Sequence, residues 1–445
     1  MTQDRNYPEN ASGLKNLFRA LASRNYRLFF AGQSISLLGA WIQRVAMSWI
    51  VYRLTSSEVL LGTVSFLGLI PVFVFSPFAG VLADRINRQR LLVITQVLAM
   101  LQALILAGLI MTGSIRIEHI MVLSVFLGLI NAFDTPVRQA FTLEMIEKKE
   151  DLSNAIALNS ALFNSARLVG PAIAGALITV FGEGLCFLLN GLSYLFVIAA
   201  LLLMRIPMEE RKTKQQNLLH GLQEGFSYAF GFTPIRTVLS LLMVVSILGT
   251  PYIVLMPIFA KDILHGDAHT LGFLMSATGG GALCGAVYLA SRKTVVGLVR
   301  ILPLAAILFS LGLIGFALSH YQWLSILFLI ITGFGMMVQM ASSNTILQTI
   351  ADEDKRGRIV SLYVMCVMGT TPLGSLLAGA VADRIGTPET LMIGGSCCLV
   401  CSIIFMRKLP ALRASIRPIY VEKGILSEVA LGLESAVQWP RPPVG

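Results

Sequence analysis

Charge is scarce in this sequence. Asp, Glu, Lys and Arg make up 13% of the 445 residues against 55% hydrophobic, and the mean hydropathy is +0.75. Soluble domains carry about 25% charged residues, so a water-facing surface around an ordinary core is excluded. Acids are scarcer than bases, 24 against 34. The six cysteines, Cys186, Cys284, Cys366, Cys397, Cys398 and Cys401, all fall in apolar runs and say little about redox compartment. The pair Cys398 and Cys401, at i, i+3 in an apolar helix, reads as packing rather than as a redox or metal pair. His265, Asp267 and His269 in HGDAH are the one metal-like cluster, and a solvated loop explains them as well. No phosphate-binding loop of the Walker type is present, which excludes a built-in ATPase of that class. The glycine run Gly279 to Gly281 lacks a phosphate-binding pattern and reads as helix packing. No enzyme, metal or cofactor is expected.

Long apolar runs take the place of what is missing. Twelve stretches, each long enough for a ~30 Å hydrocarbon layer, lie near 28–52, 59–82, 91–111, 120–141, 155–180, 185–204, 238–263, 271–290, 301–318, 324–347, 359–381 and 391–406. The fold class is therefore an all-α membrane protein of twelve transmembrane helices in two six-helix repeats. Arg44 and Arg167 fall inside spans, and Arg53, Arg116, Lys261 and Arg384 fall at one face. The remaining Lys and Arg fall at the other face, the positive-inside pattern with both termini cytoplasmic. The net charge of +10 then needs no nucleic acid. Residues 1–27 form a polar N-terminal segment with no cleavage site after the first span, which is expected to be retained. The bundles are 28–205 and 237–406, separated by a cytoplasmic linker, 206–236. In that linker Leu218, Leu222, Phe226 and Phe230 predict an amphipathic surface helix. The tail, 407–445, is expected to be cytoplasmic and partly disordered.

The halves resemble each other. Gly39 and Gly62 are spaced like Gly249 and Gly272, and AGALITVFG from Ala174 aligns with AGAVADRIG from Ala378, which favours a duplication of about 205 residues.

Between the second and third spans stands GVLADRINRQR, with Gly80, Asp84, Arg85, Arg88 and Arg90 in a tight turn. Taken alone it is a basic turn at an anionic leaflet. It resembles the loop signature of the major facilitator superfamily, with Asn87 where that family usually has glycine. In the second half ASRKTVVGLVR keeps Arg292 and Lys293 but has Thr294 in place of the aspartate. RLVGPAIAG, with Gly170, Pro171 and Gly175, resembles the fifth-helix signature of the antiporter branch, Ala174 replacing one glycine. A generic packing kink is the alternative. AFDTPVRQAF, NAIALNSALFNSARLVGP and WIVYRLTSS resemble the bacterial branch that includes enterobactin exporters and multidrug efflux proteins. The resemblance implies a multi-pass protein of the bacterial inner membrane, alternating access, a small-molecule substrate and proton antiport. It also implies that Asp84 holds the eleventh helix near Gly357 to Val360, with Arg138 completing the switch. A monomer is expected.

Charged and polar groups inside spans are the remaining candidates. At 100° per residue, Gln33, Ala40, Arg44 and Ser48 share one stripe. So do Ser160, Asn164, Arg167 and Pro171, and so do Asn131, Asp134, Thr135 and Arg138. Helix ten adds Gln339, Ser342, Ser343, Asn344 and Gln348. Asp134, the one acid deep in a span, is the candidate for proton coupling, or else a structural lock with Arg138. Arg44 and Arg167 against Asp134 leave a positive excess that suits an anionic or amphipathic ligand, with Trp41, Phe163 and Tyr363 as apolar contacts. The competing account has acids from other helices neutralising both arginines, leaving a cavity for neutral or cationic drugs. Export is the leading reading and an uptake symporter or facilitator its rival. Against a membrane sensor, the short loops offer no signalling domain.

Overall fold

The computed structural model describes residues 18–83, 86–205, 227–292, 294–353 and 355–425. Twelve helices are long and apolar enough to cross a membrane. The first six are α1 (Arg24–Thr55), α2 (Glu58–Ala83), α3 (Arg88–Met111), α4 (Ile117–Thr142), α5 (Leu152–Phe181) and α6 (Glu183–Leu203). The second six are α7 (Thr233–Ile263), α8 (Ala268–Ala290), α9 (Leu298–Ala317), α10 (Gln322–Ile350), α11 (Arg356–Ile385) and α12 (Thr387–Glu422). Large apolar side chains stand exposed along the outer faces, among them Val122, Val180 and Leu202, as a lipid-facing surface requires.

Turn chemistry sets several boundaries. Asn87 is the N-cap of α3, its Oδ1 accepting from the Arg90 amide at 3.0 Å, so the residue that departs from the family's glycine has a capping role. Asp267 caps α8 by accepting from the amides of His269 and Thr270. Gly182 and Gly386 end α5 and α11 at φ of +80° and +95°, a conformation other residues rarely adopt, and each hands the chain directly to the next helix.

Two expectations are corrected. The helix that begins at Thr387 does not end near Met406 but runs on to Glu422. Leu412, Ile416 and Tyr420 bury one face of the extension. The Lys423 ammonium donates to the carbonyls of Thr349 and Ala351 at 2.8 and 2.7 Å, satisfying acceptors left open at the end of α10. α7 is also not uniform. It begins at Thr233 and carries two π-helical turns, Val245–Gly249 and Phe259–Ile263, and α11 carries a third, Met365–Gly369. The expected amphipathic helix of the linker lies mostly outside the described residues. Its last turn, 227–231, is helical.

Glycine sets how closely the halves meet, since helices in lipid associate through close packing rather than through a hydrophobic drive. A Cβ on Gly62 of α2 would stand 3.2 Å from the Gly379 Cα of α11, and one on Gly272 of α8 would stand 3.1 Å from the Gly175 Cα of α5. Gly62 corresponds to Gly272, and Gly175 to Gly379, in the alignment of the halves. The two contacts are therefore consistent with the expected repeat.

Candidate functional site

Three constellations matter: a polar network within the first half, a seam at one end between the halves, and an arginine pair midway along the helices.

The first half holds an interhelical polar network. The Gln43 amide of α1 donates to Gln102 of α3 at 3.2 Å and its oxygen accepts from Asn190 of α6 at 2.6 Å, while Gln102 donates to the Leu123 carbonyl of α4 at 3.3 Å. Nearer the opposite end, buried Asp134 of α4 accepts from Thr95 at 2.8 Å and Gln96 at 2.6 Å, both of α3, and is ion-paired with Arg138 one turn along. Arg138 faces inward to Asp134 instead of reaching for the interface. Arg88 pairs with Glu144 at 2.8 Å, and Arg90 is exposed. Gly80 lies near the end of α2, whereas Asp84 and Arg85 lie outside the described residues.

The seam lies at the end holding the α1–α2 and α7–α8 turns. The Tyr52 hydroxyl of α1 donates to Asp262 of α7, and the Lys261 ammonium stands 5.3 Å from the Tyr52 ring centre, within range of a cation–π contact. Thr179 of α5 meets Asp267 at 3.5 Å. Beside the seam, Arg53 is tied to buried Glu183 of α6 at 2.6 Å. His269 packs edge-on against Phe273, and among the described residues no group of three or more His, Cys, Asp or Glu could hold a metal ion.

The arginine pair is built by α1 and α5. Gly170 lets α5 approach α1 so closely that a Cβ there would lie 2.6 Å from the Trp41 Cβ, and Gly175 does the same against α8. The Gly-Pro-containing segment thereby seats α5 between the two halves. Trp41 packs edge-on against Phe163 at 5.8 Å, and the Arg44 guanidinium lies 4.6 Å from the Trp41 ring. Arg44 and Arg167 are close enough to repel, and Arg167 interacts in turn with Tyr252 of α7, in the other half. Arg44 is nonetheless exposed in mid-helix. Among the described residues no ion pair or hydrogen bond is formed by the side chain of either arginine. The Tyr252 hydroxyl is also buried, beside the Thr278 hydroxyl of α8.

The other candidates divide. Gln33 is buried on α1 with its oxygen unpartnered. Asn164 is buried, and its amide is spent on the Ser160 carbonyl of its own helix at 2.8 Å, while Ser160 is exposed. On α10, Gln339, Ser342 and Ser343 are buried with no partner among the described residues, and Gln348 donates to Asn344 at 3.0 Å. Tyr363 donates to the Met340 carbonyl at 3.2 Å, which fixes it to α10. Sequence reasoning missed Gln43, Gln102, Asn190, Tyr252 and Asp262. The amides were visible as lone polar residues in apolar spans, whereas a tyrosine in a span carries no such signal.

The family described as transmembrane secretion effector matches residues 16–425. The chain is 27% identical over 385 residues to the staphyloferrin A transporter of Staphylococcus aureus, covering 85% of this chain and 95% of that one. It is 23% identical over 391 residues to macrolide efflux protein A of Streptococcus pyogenes, at 85% and 96% coverage. Among solved structures, a POT family transporter in complex with 5-aminolevulinic acid superposes with a TM-score of 0.72 at 11% identity, covering 88% and 97%. The nucleoside transporter NupG gives 0.67 at 14% identity, covering 88% and 98%. At those identities the likeness is one of fold.

Proposed function

The chain belongs to the transmembrane secretion effector family of the major facilitator superfamily, and from that premise we propose that it exports a small anionic or amphipathic molecule by alternating access. Siderophore-like and drug-like compounds are the class that its relatives' names suggest. The observation that carries this reading is the pair Arg44 and Arg167, solvated, without a carboxylate, flanked by Trp41 and Phe163 and facing Tyr252 across the halves. Two guanidiniums held together away from bulk water favour an anion between them, because charge-assisted hydrogen bonds strengthen where water is thin. Flat aromatic walls add dispersion for a ring-bearing ligand.

The two bundles, α1 to α6 and α7 to α12, rock about this pair. The seam of Tyr52, Asp262 and the paired glycines closes one end, so substrate reaches the pair from the opposite end. The distribution of Lys and Arg supports placing that opposite end, with both termini, in the cytoplasm of a bacterial inner membrane. Proton antiport by a monomer is the coupling we assign. Asp134 is the coupling group only if its bonds to Thr95, Gln96 and Arg138 come apart during the cycle. In the state seen it serves as a lock. The turn with Asp84 acts with Arg88 as the switch on the cytoplasmic side.

Binding of matched anionic and cationic ligands to the wild type, Arg44→Gln and Arg167→Gln tests the site. The expected result is a wild-type preference for the anion that falls in each variant. Preference for the cation, or an anion affinity indifferent to both substitutions, defeats the reading. Transport in inverted vesicles with and without a pH gradient tests direction and coupling.

A further inference from the structure

On the lateral face of the second half, α7 and α12 run antiparallel and enclose a cleft of about 370 Å³, separate from the arginine pair. One face of each helix lines it. Near the start of α7, Arg236, Thr237 and Ser240 stand opposite Lys408 and Ser415 of α12. Farther in, Leu241 and Val244 stand opposite Cys401, Ile404 and Phe405. The lining thus passes from cationic and hydroxylic to wholly apolar along its length. From Thr233 to Val244 that length is roughly 16 Å at 1.5 Å per residue.

Three features say what fits. No carboxylate lines the cleft, so its two cations are not neutralised from within. Arg236 makes one long hydrogen bond, to the Phe230 carbonyl at 3.4 Å, and keeps its other donors, while Lys408 has no partner among the described residues. The first turn of α7 has no side-chain cap, so its amides add to the positive field at the cleft's mouth. On the apolar side, Ile404 is 47% exposed and its neighbours Val400 and Ile403 are also open, so the inner part of the cleft faces the hydrocarbon layer rather than water. A soluble anion would leave that part empty, and an uncharged lipid would leave both cations without an anion.

We propose that this cleft binds one anionic phospholipid, its phosphate between Arg236 and Lys408 and one acyl chain along Leu241, Val244 and Ile404. The site joins the base of α7 to the extension of α12. That places a membrane component against the helix that carries two π-helical turns and against the extension whose Lys423 caps α10.

The test uses the full chain purified in detergent, with bound lipid counted by native mass spectrometry against dioleoyl phosphatidylglycerol, dioleoyl phosphatidylcholine or glycerol phosphate. Phosphatidylglycerol should be retained about thirtyfold more tightly than phosphatidylcholine, as expected for two interfacial cations, with glycerol phosphate unretained at the same concentration. The double variant Arg236→Gln with Lys408→Gln should erase the preference. Arg407→Gln, adjacent but outside the cleft, should keep it. Val244→Trp, which fills the apolar part and leaves the cations, should also weaken retention. Equal retention of the two lipids, a double variant that behaves as the wild type, or an equal loss in Arg407→Gln overturns the site. Retention of glycerol phosphate as tight as that of the lipid overturns the phospholipid assignment in favour of a soluble anion. Each variant's melting temperature without added lipid is compared with the wild type's, so that a lost fold is not read as a lost site.

Discussion

In the first half, Gln43, Gln102 and Asn190 satisfy one another, and Asp134 is met by three side chains. Only the Gln33 and Gln96 side-chain oxygens are buried without a partner there, whereas in the second half Ser246, Ser276, Gln339, Ser342 and Ser343 are, among the described residues. The backbone differs in the same sense. α1 and α5 are continuous α-helices, while α7 and α11, their counterparts in the second half, carry three π-helical turns. π-Helical turns interrupt the regular hydrogen-bond ladder and concentrate at functional sites. A closed network has no spare donors and resists rearrangement, whereas open polar groups on interrupted helices gain partners from water, substrate or the other half. The difference places the denser interhelical bonding in one half and the interrupted helices in the other.

The sharpest way to break this comparison is at the one place where the halves are alike. Gly62→Val and Gly272→Val each drive a side chain into the backbone of the facing helix. Both should abolish transport, with overpacking costs of about 1–3 kcal/mol visible as lower melting temperatures. Full transport by one variant and none by the other would show that the two contacts are not equivalent.

Substitution of single amides comes next. Asn190→Leu removes the donor to Gln43 and should destabilise the protein by about 1–3 kcal/mol, whereas Gln339→Leu loses no protein partner and should leave the melting temperature nearly unchanged while altering transport. Equal thermal losses would erase the distinction between the halves.

At the seam, Tyr52→Phe deletes the bond to Asp262. An interhelical hydrogen bond in a membrane contributes about 0.6 kcal/mol on average, so the closed end should open roughly threefold more often, read as faster labelling of a cysteine introduced at Ser56. Unchanged labelling would place the seam's strength in the glycines alone.

The smallest effect concerns the loop between α10 and α11. There Asp352 is held below the usual carboxylate range, first by the Lys355 ammonium and then by the Tyr228 hydroxyl. Its contribution is present above the unfolded aspartate pKa and fades as the pH falls through the lowered native value. The group is exposed and screened, so Asp352→Asn should shift the acid limb of a stability profile only slightly. A shift at neutral pH would contradict this.

Much of the architecture was legible along the chain because lipid imposes a simple rule. Each backbone polar group must be satisfied within its own helix, so twelve apolar runs of the right length announce twelve helices. Arg44 and Arg167 were legible for a related reason, since a charge in such a run is costly enough to demand a purpose. The end of α12 was not legible. Its extension is held by burial of Leu412, Ile416 and Tyr420 and by Lys423 reaching another helix, none of which leaves a trace in local composition.

Sequence alone therefore determined the number of spans and the presence of cations within them, because these follow from hydropathy and residue spacing. Tertiary structure alone decided which polar groups meet. Asp134 turned toward Thr95 and Gln96, the two arginines were brought together beside Tyr252, and α10 was left with unpartnered amides and hydroxyls. The physical reason is that hydrogen bonds and ion pairs act over a few ångströms between helices far apart in the chain. Only the close approach set by residues such as Gly170 and Gly175 fixes which of them form.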